Sequence, residues 1–192
     1  MKKIGLTGNI GSGKTTISNV FRTLGVPVFY ADDEAKRLMV EDENLKNELI
    51  SVFGAEVFVE NTLNRKYLSE LAFNDENVLQ TLNNLVHPAV QNSFNNWCQK
   101  QSAQYILKEA AILFESGSYK ELDAVICVKC PKPKRVERIM KRDSVTLEQI
   151  ESRMSKQWDE EKKCSLSQYI IRNDDESLVI PQVLEIHKEL LK

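Results

Sequence analysis

The chain has 192 residues, 42% of them hydrophobic, which is enough apolar material for one domain with an insertion or for two small domains. Its 26 basic and 28 acidic residues leave a formal charge of -2, so bulk electrostatics give no case for nucleic-acid binding or for a charged membrane surface. No stretch approaches the roughly 18 apolar residues of a membrane span, and Met1-Lys2-Lys3 runs into a glycine-broken strand pattern rather than a secretory core, so a cytoplasmic protein is expected.

The first apolar run, "KKIGLT", leads into "GNIGSGKTT" (residues 8–16) and then a helical pattern carrying Ile17, Val20 and Phe21. Gly8, Gly13, Lys14 and Thr15 satisfy G-x-x-x-x-G-K-[ST] in the strand–loop–helix setting that this motif requires. Its glycines let backbone N–H groups converge on phosphate oxygens, and the helix N-terminus adds partial positive charge. Lys14 is expected at the β and γ phosphates, and Thr15 as a Mg²⁺ ligand through its hydroxyl.

The second run, "VPVFY", precedes Asp32 and Asp33. Asp32 falls just past the strand, at the carboxyl edge where open α/β sheets place ligands. It is the candidate to take a proton from an acceptor hydroxyl, or to hold Mg²⁺ through water. The competing reading for both aspartates is helix capping before "EAKRLMV", a role assigned to Asp33.

Residues 35–102 differ in character, with Leu82, Leu85, Val86 and Val90 at helical spacing and Pro88 expected to start a new helix after His87. Within them "VFVENTLNRKYL" reads as a turn or hairpin carrying Arg65. A helical insertion of this kind in an open sheet is, by analogy, a substrate-covering subdomain.

The third and fourth runs are "QYILKEAAI" and "DAVICVK". Cys127 and Cys130 form a nominal C-x-x-C, but an offset of three in a strand sends the two thiols to opposite faces, so ordinary packing is expected of them. Helical patterns follow in "KPKRVERIMKRD" and "TLEQIESRMSKQWDEE", the second opened by a Thr146/Gln149 capping box. Arg138 and Arg142, four apart, are expected to bring their guanidinium groups together, with Arg153 and Lys156 on the next helix, as a lid over the triphosphate. The plainer alternative is a solvated basic face paired with Glu137 and Asp143.

A fifth run, "QYIIRN", and a last helix at about 178–191 complete the pattern. The alternation predicts an α/β chain with a mostly parallel sheet, its strands covered on both faces. Neither N-K-x-D nor D-x-x-G occurs, which argues against a guanine-nucleotide switch.

In order along the chain, "GLTGNIGSGKTT", "ADDEAKRL", "LNRKYLSELAF", "LVHP", "LFESG", "DAVICVKCPKPKRVERIMKRD" and "IIRND" resemble the dephospho-CoA kinase family, one of the P-loop nucleoside and nucleotide kinases. The resemblance implies a three-layer P-loop NTPase fold: a five-stranded, mostly parallel sheet from residues 1–34, 103–131 and 165–192, a helical acceptor subdomain at 35–102 and a helical lid at 132–164, in one continuous folding unit. It implies ATP at Gly11, Ser12, Gly13, Lys14, Thr15 and Thr16, Asp32 activating the ribose 3′-hydroxyl of dephospho-CoA, Arg142 and its neighbour Arg138 at the ATP phosphates, and Asn173 near the adenine. Arg65 and His87 would line the acceptor side, although His87 also reads as a plain helix-end residue. The implied partners are ATP, Mg²⁺ and dephospho-CoA, with the chain a monomer or weak homo-oligomer.

Three positions depart from the family pattern: Tyr30 stands where a carboxylate is usual, Ala111 where proline is usual, and Asn9 where a second glycine is common. Glu109 retains an acidic group nearby, able to act through a metal-bound water. A kinase for another small hydroxyl or monophosphate acceptor, or an ATP-binding regulatory module, are the alternatives that share this loop and fold.

Overall fold

The computed structural model describes residues 1–60, 62–143 and 145–192, the side chains of Phe73 and Asn74 excepted. In chain order the described residues form β1 (Lys2–Thr7), α1 (Lys14–Thr23), β2 (Val28–Tyr30), α2 (Ala31–Glu41), α3 (Glu43–Phe53), β3 (Phe58–Val59), β4 (Thr62–Leu63), α4 (Arg65–Asn74) and α5 (Glu76–Cys98). They continue as β5 (Tyr105–Glu109), β6 (Ala124–Lys129), α6 (Lys132–Arg142), α7 (Leu147–Ser155), α8 (Glu160–Ser165), β7 (Tyr169–Arg172) and α9 (Val179–Leu190). The chain divides into two compact units, Met1–Tyr30 with Gln101–Lys192, and Ala31–Lys100.

In the first unit the sheet runs β2-β5-β1-β6-β7 with every pairing parallel. β1 is central, bonded to β5 from Lys2↔Tyr105 and to β6 from Ile4↔Ala124, so the strand order reverses beside it. A crevice at the carboxyl ends of strands is where such a reversal puts ligands, and the residues after β1 open there. Ile4, Leu6, Leu107, Ile126, Val128 and Ile171 pack with Ile17 and Phe21 of α1 and with Val183, Ile186 and Leu190 of α9 in one buried cluster. Phe21 and Tyr105 meet edge to face at 6.5 Å, and the Tyr105 hydroxyl lies 2.6 Å from His187 Nδ1.

The strands are not all covered on both faces. Edge strand β7 buries only Ile171, which joins the core cluster with α9, while Ile170, on the opposite face, is 45% exposed. β5 stops at Glu109, leaving 110–112 of the apolar run outside the strand. The last part of "TLEQIESRMSKQWDEE" forms a separate helix, α8, capped by the Asp159 carboxylate, which accepts from the Glu161 and Lys162 N–H groups. Cys127 and Cys130 are both buried, and the neighbour of the Cys127 thiol is Cys164 of α8, sulfur to sulfur 2.7 Å.

The second unit is helical, with a β3/β4 hairpin whose register is Phe58↔Leu63 and Val59↔Thr62; of the predicted turn, Asn61 lies outside the described residues. Arg65 is not on the hairpin but opens α4, which Asn64 caps through its side chain. Pro88 does not begin a helix: α5 runs unbroken from Glu76 to Cys98. Proline deprives the carbonyl of Asn84 of its helical donor, but Asn84 is exposed, while Val86, Val90, Phe94 and Cys98 form one buried stripe spanning the position. No helix among the described residues is long and apolar enough to cross a membrane.

Candidate active site

Between β1 and α1 the chain turns through Gly8 (φ 154°), Gly11 (φ 82°) and Gly13 (φ 90°), conformations that residues with a Cβ adopt at a cost. At Gly11 a Cβ would also come within 2.7 Å of the Arg135 carbonyl oxygen, and at Gly13 it would collide with the Asn173 side chain. No side chain caps the N-terminus of α1, whose first residue is Lys14. Its leading N–H groups therefore remain available to an anion.

Lys14 Nζ donates to the Gly8 carbonyl at 3.0 Å, folding back over the loop, and lies 3.9 Å from Glu109 Oε1. Thr15 and Thr16 are exposed at the helix start. Ser12 is buried, and among the described residues its hydroxyl has no hydrogen-bond partner, an unmet group inside the loop. These features fit a polyphosphate: an uncapped helix end, an ammonium held on a carbonyl beside it, and a buried hydroxyl lacking a partner among the described residues.

The loop is gripped from the far end of the chain. Arg138 reaches the Ser12 carbonyl at 3.5 Å and the Asn173 carbonyl at 3.1 Å, and is held by Asp175 at 2.5 Å. That guanidinium holds the Asp175 carboxyl below its usual range. Asn173 donates to the Ser12 carbonyl at 2.7 Å. Arg138 and Asn173 thus meet at the loop.

Arg138 and Arg142 do not converge, contrary to the expectation from their spacing. Arg142, the last residue of α6, forms a two-pronged pair with its chain neighbour Asp143 (2.8 and 3.0 Å), and Arg153 adds a contact to the same carboxylate at 3.4 Å. A shared helix face aligns side-chain stems, but the fork of a guanidinium goes to the nearest carboxylate. Lys156 follows α7 as its exposed C-cap.

In the second unit Asp32, Arg65 and His87 lie on α2, α4 and α5 respectively. α2 begins at Ala31, directly after β2, so Asp32, Asp33 and Glu34 all sit within its first turn and neither aspartate is the capping residue. Negative charge in a first turn is stabilising, so these acids still suit the helix end. Asp32 is exposed, and Asp33 pairs with Lys36 at 2.7 Å. Arg65 is exposed, and His87 is half-buried.

Several residues around the loop escaped the sequence reading. Gln157 Oε1 accepts from the Ile10 N–H at 2.8 Å, and the Trp158 carbonyl accepts from Asn9 Nδ2 at 3.1 Å. Arg135 is buried, donating to the Cys130 carbonyl at 2.9 Å, with Glu160 3.6 Å away. Burial pushes the Glu160 carboxyl up, against the pull of the Cys130 N–H and Arg135. Lys163, fully buried, pairs with Glu115 at 2.7 Å. The capping box flagged α7, but nothing local marks the Gln157-Trp158 step that follows it.

A family profile described as dephospho-CoA kinase matches residues 2–178. The chain belongs to the dephospho-CoA kinase family. It is 38% identical over 185 residues to a dephospho-CoA kinase of Bacteroides fragilis, covering 96% of this chain and 90% of the relative. A crystal structure from Thermus thermophilus is similar at 32% identity and TM-score 0.86, covering 99% of this chain and 96% of that one. A dephospho-CoA kinase from Campylobacter jejuni is similar at 27% identity and TM-score 0.70, over 98% and 96% of the two chains. The sheet with flanking helices is the α/β P-loop kinase fold.

Against the pattern of dephospho-CoA kinases, the three departures each have a definite setting here. The Tyr30 hydroxyl is 3.2 Å from Ser18 Oγ of α1, and Tyr30 lies in register with Glu109 on β5. The Ala111 carbonyl accepts from Lys163 Nζ at 2.9 Å. Asn9 supplies the donor to Trp158 that a glycine lacks.

Proposed function

We propose that the chain transfers the γ-phosphoryl group of ATP to the ribose 3′-hydroxyl of dephospho-CoA, giving CoA and ADP, the last step of coenzyme A biosynthesis. The observation that carries this reading is the uncapped, glycine-shaped phosphate loop within a family match spanning residues 2–178.

In this reading the N–H groups of residues 11 and 13–16, the Ser12 hydroxyl and the Lys14 ammonium hold the triphosphate, and Thr15 contributes its hydroxyl to Mg²⁺. Among the described residues no group of three or more His, Cys, Asp or Glu converges to bind a metal alone; Thr15, with Asp32 through water, would hold the ion beside the phosphates. Mg²⁺ supplies charge neutralisation along the polyphosphate. Asp32 orients the acceptor hydroxyl and takes its proton as the hydroxyl oxygen bonds to the γ-phosphorus and the bond to the ADP oxygen breaks. Arg138 remains beside the phosphate loop, and Arg142 joins it by exchanging Asp143 for phosphate. Arg65 and His87 serve the dephospho-CoA side, and Asn173 the adenine side of ATP. Residues 132–164 act as the lid, and the enzyme works in the cytoplasm as a monomer or weak homo-oligomer.

A coupled ADP-release assay tests the assignment. Turnover with dephospho-CoA should far exceed that with shikimate, gluconate or nucleoside monophosphates. Preference for one of those acceptors would move the chain to another kinase class, and ATP binding with no acceptor-dependent ADP release would make it a binding module.

A further inference from the structure

The phosphate loop is a short segment with three left-handed glycines, and its N–H groups converge on an anion only while that shape is kept. Something must hold it when no ligand is present. Ser12 N–H closes a turn on the Asn9 carbonyl at 3.0 Å, which fixes the middle of the loop but not its first half. At that first half, two groups are met from the segment joining α7 to α8: the Ile10 N–H by Gln157 Oε1 at 2.8 Å, and Asn9 Nδ2 by the Trp158 carbonyl at 3.1 Å. Because a backbone N–H is the donor, the Gln157 atom facing Ile10 must be the oxygen.

That segment is itself anchored. The Trp158 N–H donates to Glu115 Oε1 at 2.9 Å, Glu115 pairs with Lys163 Nζ at 2.7 Å, and the same ammonium donates to the Ala111 carbonyl at 2.9 Å. Lys163 is fully buried, so this pair is costly to break and rigid while intact. A chain of polar contacts therefore runs from the end of β5, through a buried ion pair and the α7–α8 joint, to the start of the loop. Asn9 Oδ1 is buried and has no hydrogen-bond partner among the described residues, so the amide is oriented by its donor end.

We propose that Gln157 is a positioning residue for ATP: it preorganises the phosphate loop by holding Ile10, so that the amides of residues 11 and 13–16 face the phosphates before they arrive. This rests on the reading of the loop as the ATP site. The Gln157 side chain touches no reacting group, and the effect is on nucleotide capture rather than on the chemistry of the acceptor.

The test compares Gln157→Ala with Gln157→Glu, whose carboxylate keeps an acceptor for Ile10. In nucleotide-free protein, Gln157→Ala should speed amide hydrogen exchange in residues 8–13 several-fold while peptides from β5 and β6 exchange as before. Its KM for ATP should rise about tenfold, the scale of one lost charge-free hydrogen bond in a preorganised site, with the KM for dephospho-CoA little changed. Gln157→Glu should restore the slow exchange. Unchanged loop exchange in Gln157→Ala would overturn the proposal, as would acceleration in β5 and β6 alongside the loop, or failure of Gln157→Glu to restore protection. If the unsubstituted protein released no ADP with dephospho-CoA, the acceptor assignment would fail, while exchange and ATP calorimetry would still decide the role of Gln157.

Discussion

Lys14 is hydrogen-bonded to the Gly8 carbonyl rather than lying loose, so its ammonium is already stationed over the loop. Lys14→Ala should therefore lose ATP affinity and rate together, since it removes a charge used in both ground and transition states; calorimetry and initial rates measure the two. Asp32→Asn should behave differently. It leaves the loop untouched, so ATP binding should stay near normal while kcat falls by about 10²–10⁴, the usual worth of a positioned base. Normal turnover by that variant would remove Asp32 from the mechanism. The positions of both residues in the fold were legible from sequence, because a phosphate loop is a local motif and a strand end is a local position. Gln157 was not, because the group it meets, Ile10, is far away in the chain and glutamine carries no signature of its own. The expected convergence of Arg142 with Arg138 failed for the opposite reason: their helical spacing was visible, and so was Asp143 as an alternative partner, but which of the two takes the fork is decided only in three dimensions.

The five strands were legible as elements because each apolar run is short and bounded by turns or helical patterns, and β1 and β6 match their runs closely. What patterning missed were ends and continuity. Proline inside α5 looked like a start signal, since the sequence does not reveal that Val86, Val90 and Phe94 bury one stripe on both sides of it. The α8 helix was hidden because six residues carry too little periodicity to separate from α7. Yet α8 holds Lys163, which sits in the interior opposite Glu115. Lys163→Met should destabilise the protein by about 3–5 kcal/mol, because it strands the Glu115 carboxylate without its counter-charge. Replacing both partners together, with Glu115→Leu added, should recover much of that loss. Chemical denaturation of the two variants measures the difference, and an additive, worsening double variant would contradict the pairing argument.

The response of the whole chain to acid has one identifiable source in the second unit. The Arg37 guanidinium, bonded to Glu34 at 2.7 and 2.9 Å, holds the Glu34 carboxyl below its ordinary value of 4.5; burial opposes this and the Ser93 hydroxyl assists. A lowered carboxylate pKa stabilises the fold in full above 4.5, and that contribution disappears as the pH falls through the lowered value. Glu34→Gln should thus lower stability by less than about 1 kcal/mol at neutral pH, solvent screening the half-exposed Arg37, and by progressively less below pH 4.5, as thermal midpoints across a pH series would show. The same scale exposes what the grip on the phosphate loop means for biosynthesis. Residues 8–16 are synthesised well before the strands flanking β1, which begin at Tyr105 and Ala124, and before the groups that hold the loop, at Arg138, Gln157, Trp158 and Asn173. Translation separates the two events by on the order of ten seconds. During that interval the most recognisable motif in the chain lacks the partners that shape it, so ATP cannot serve as an early template for folding and first binds once the chain has been made through Asn173.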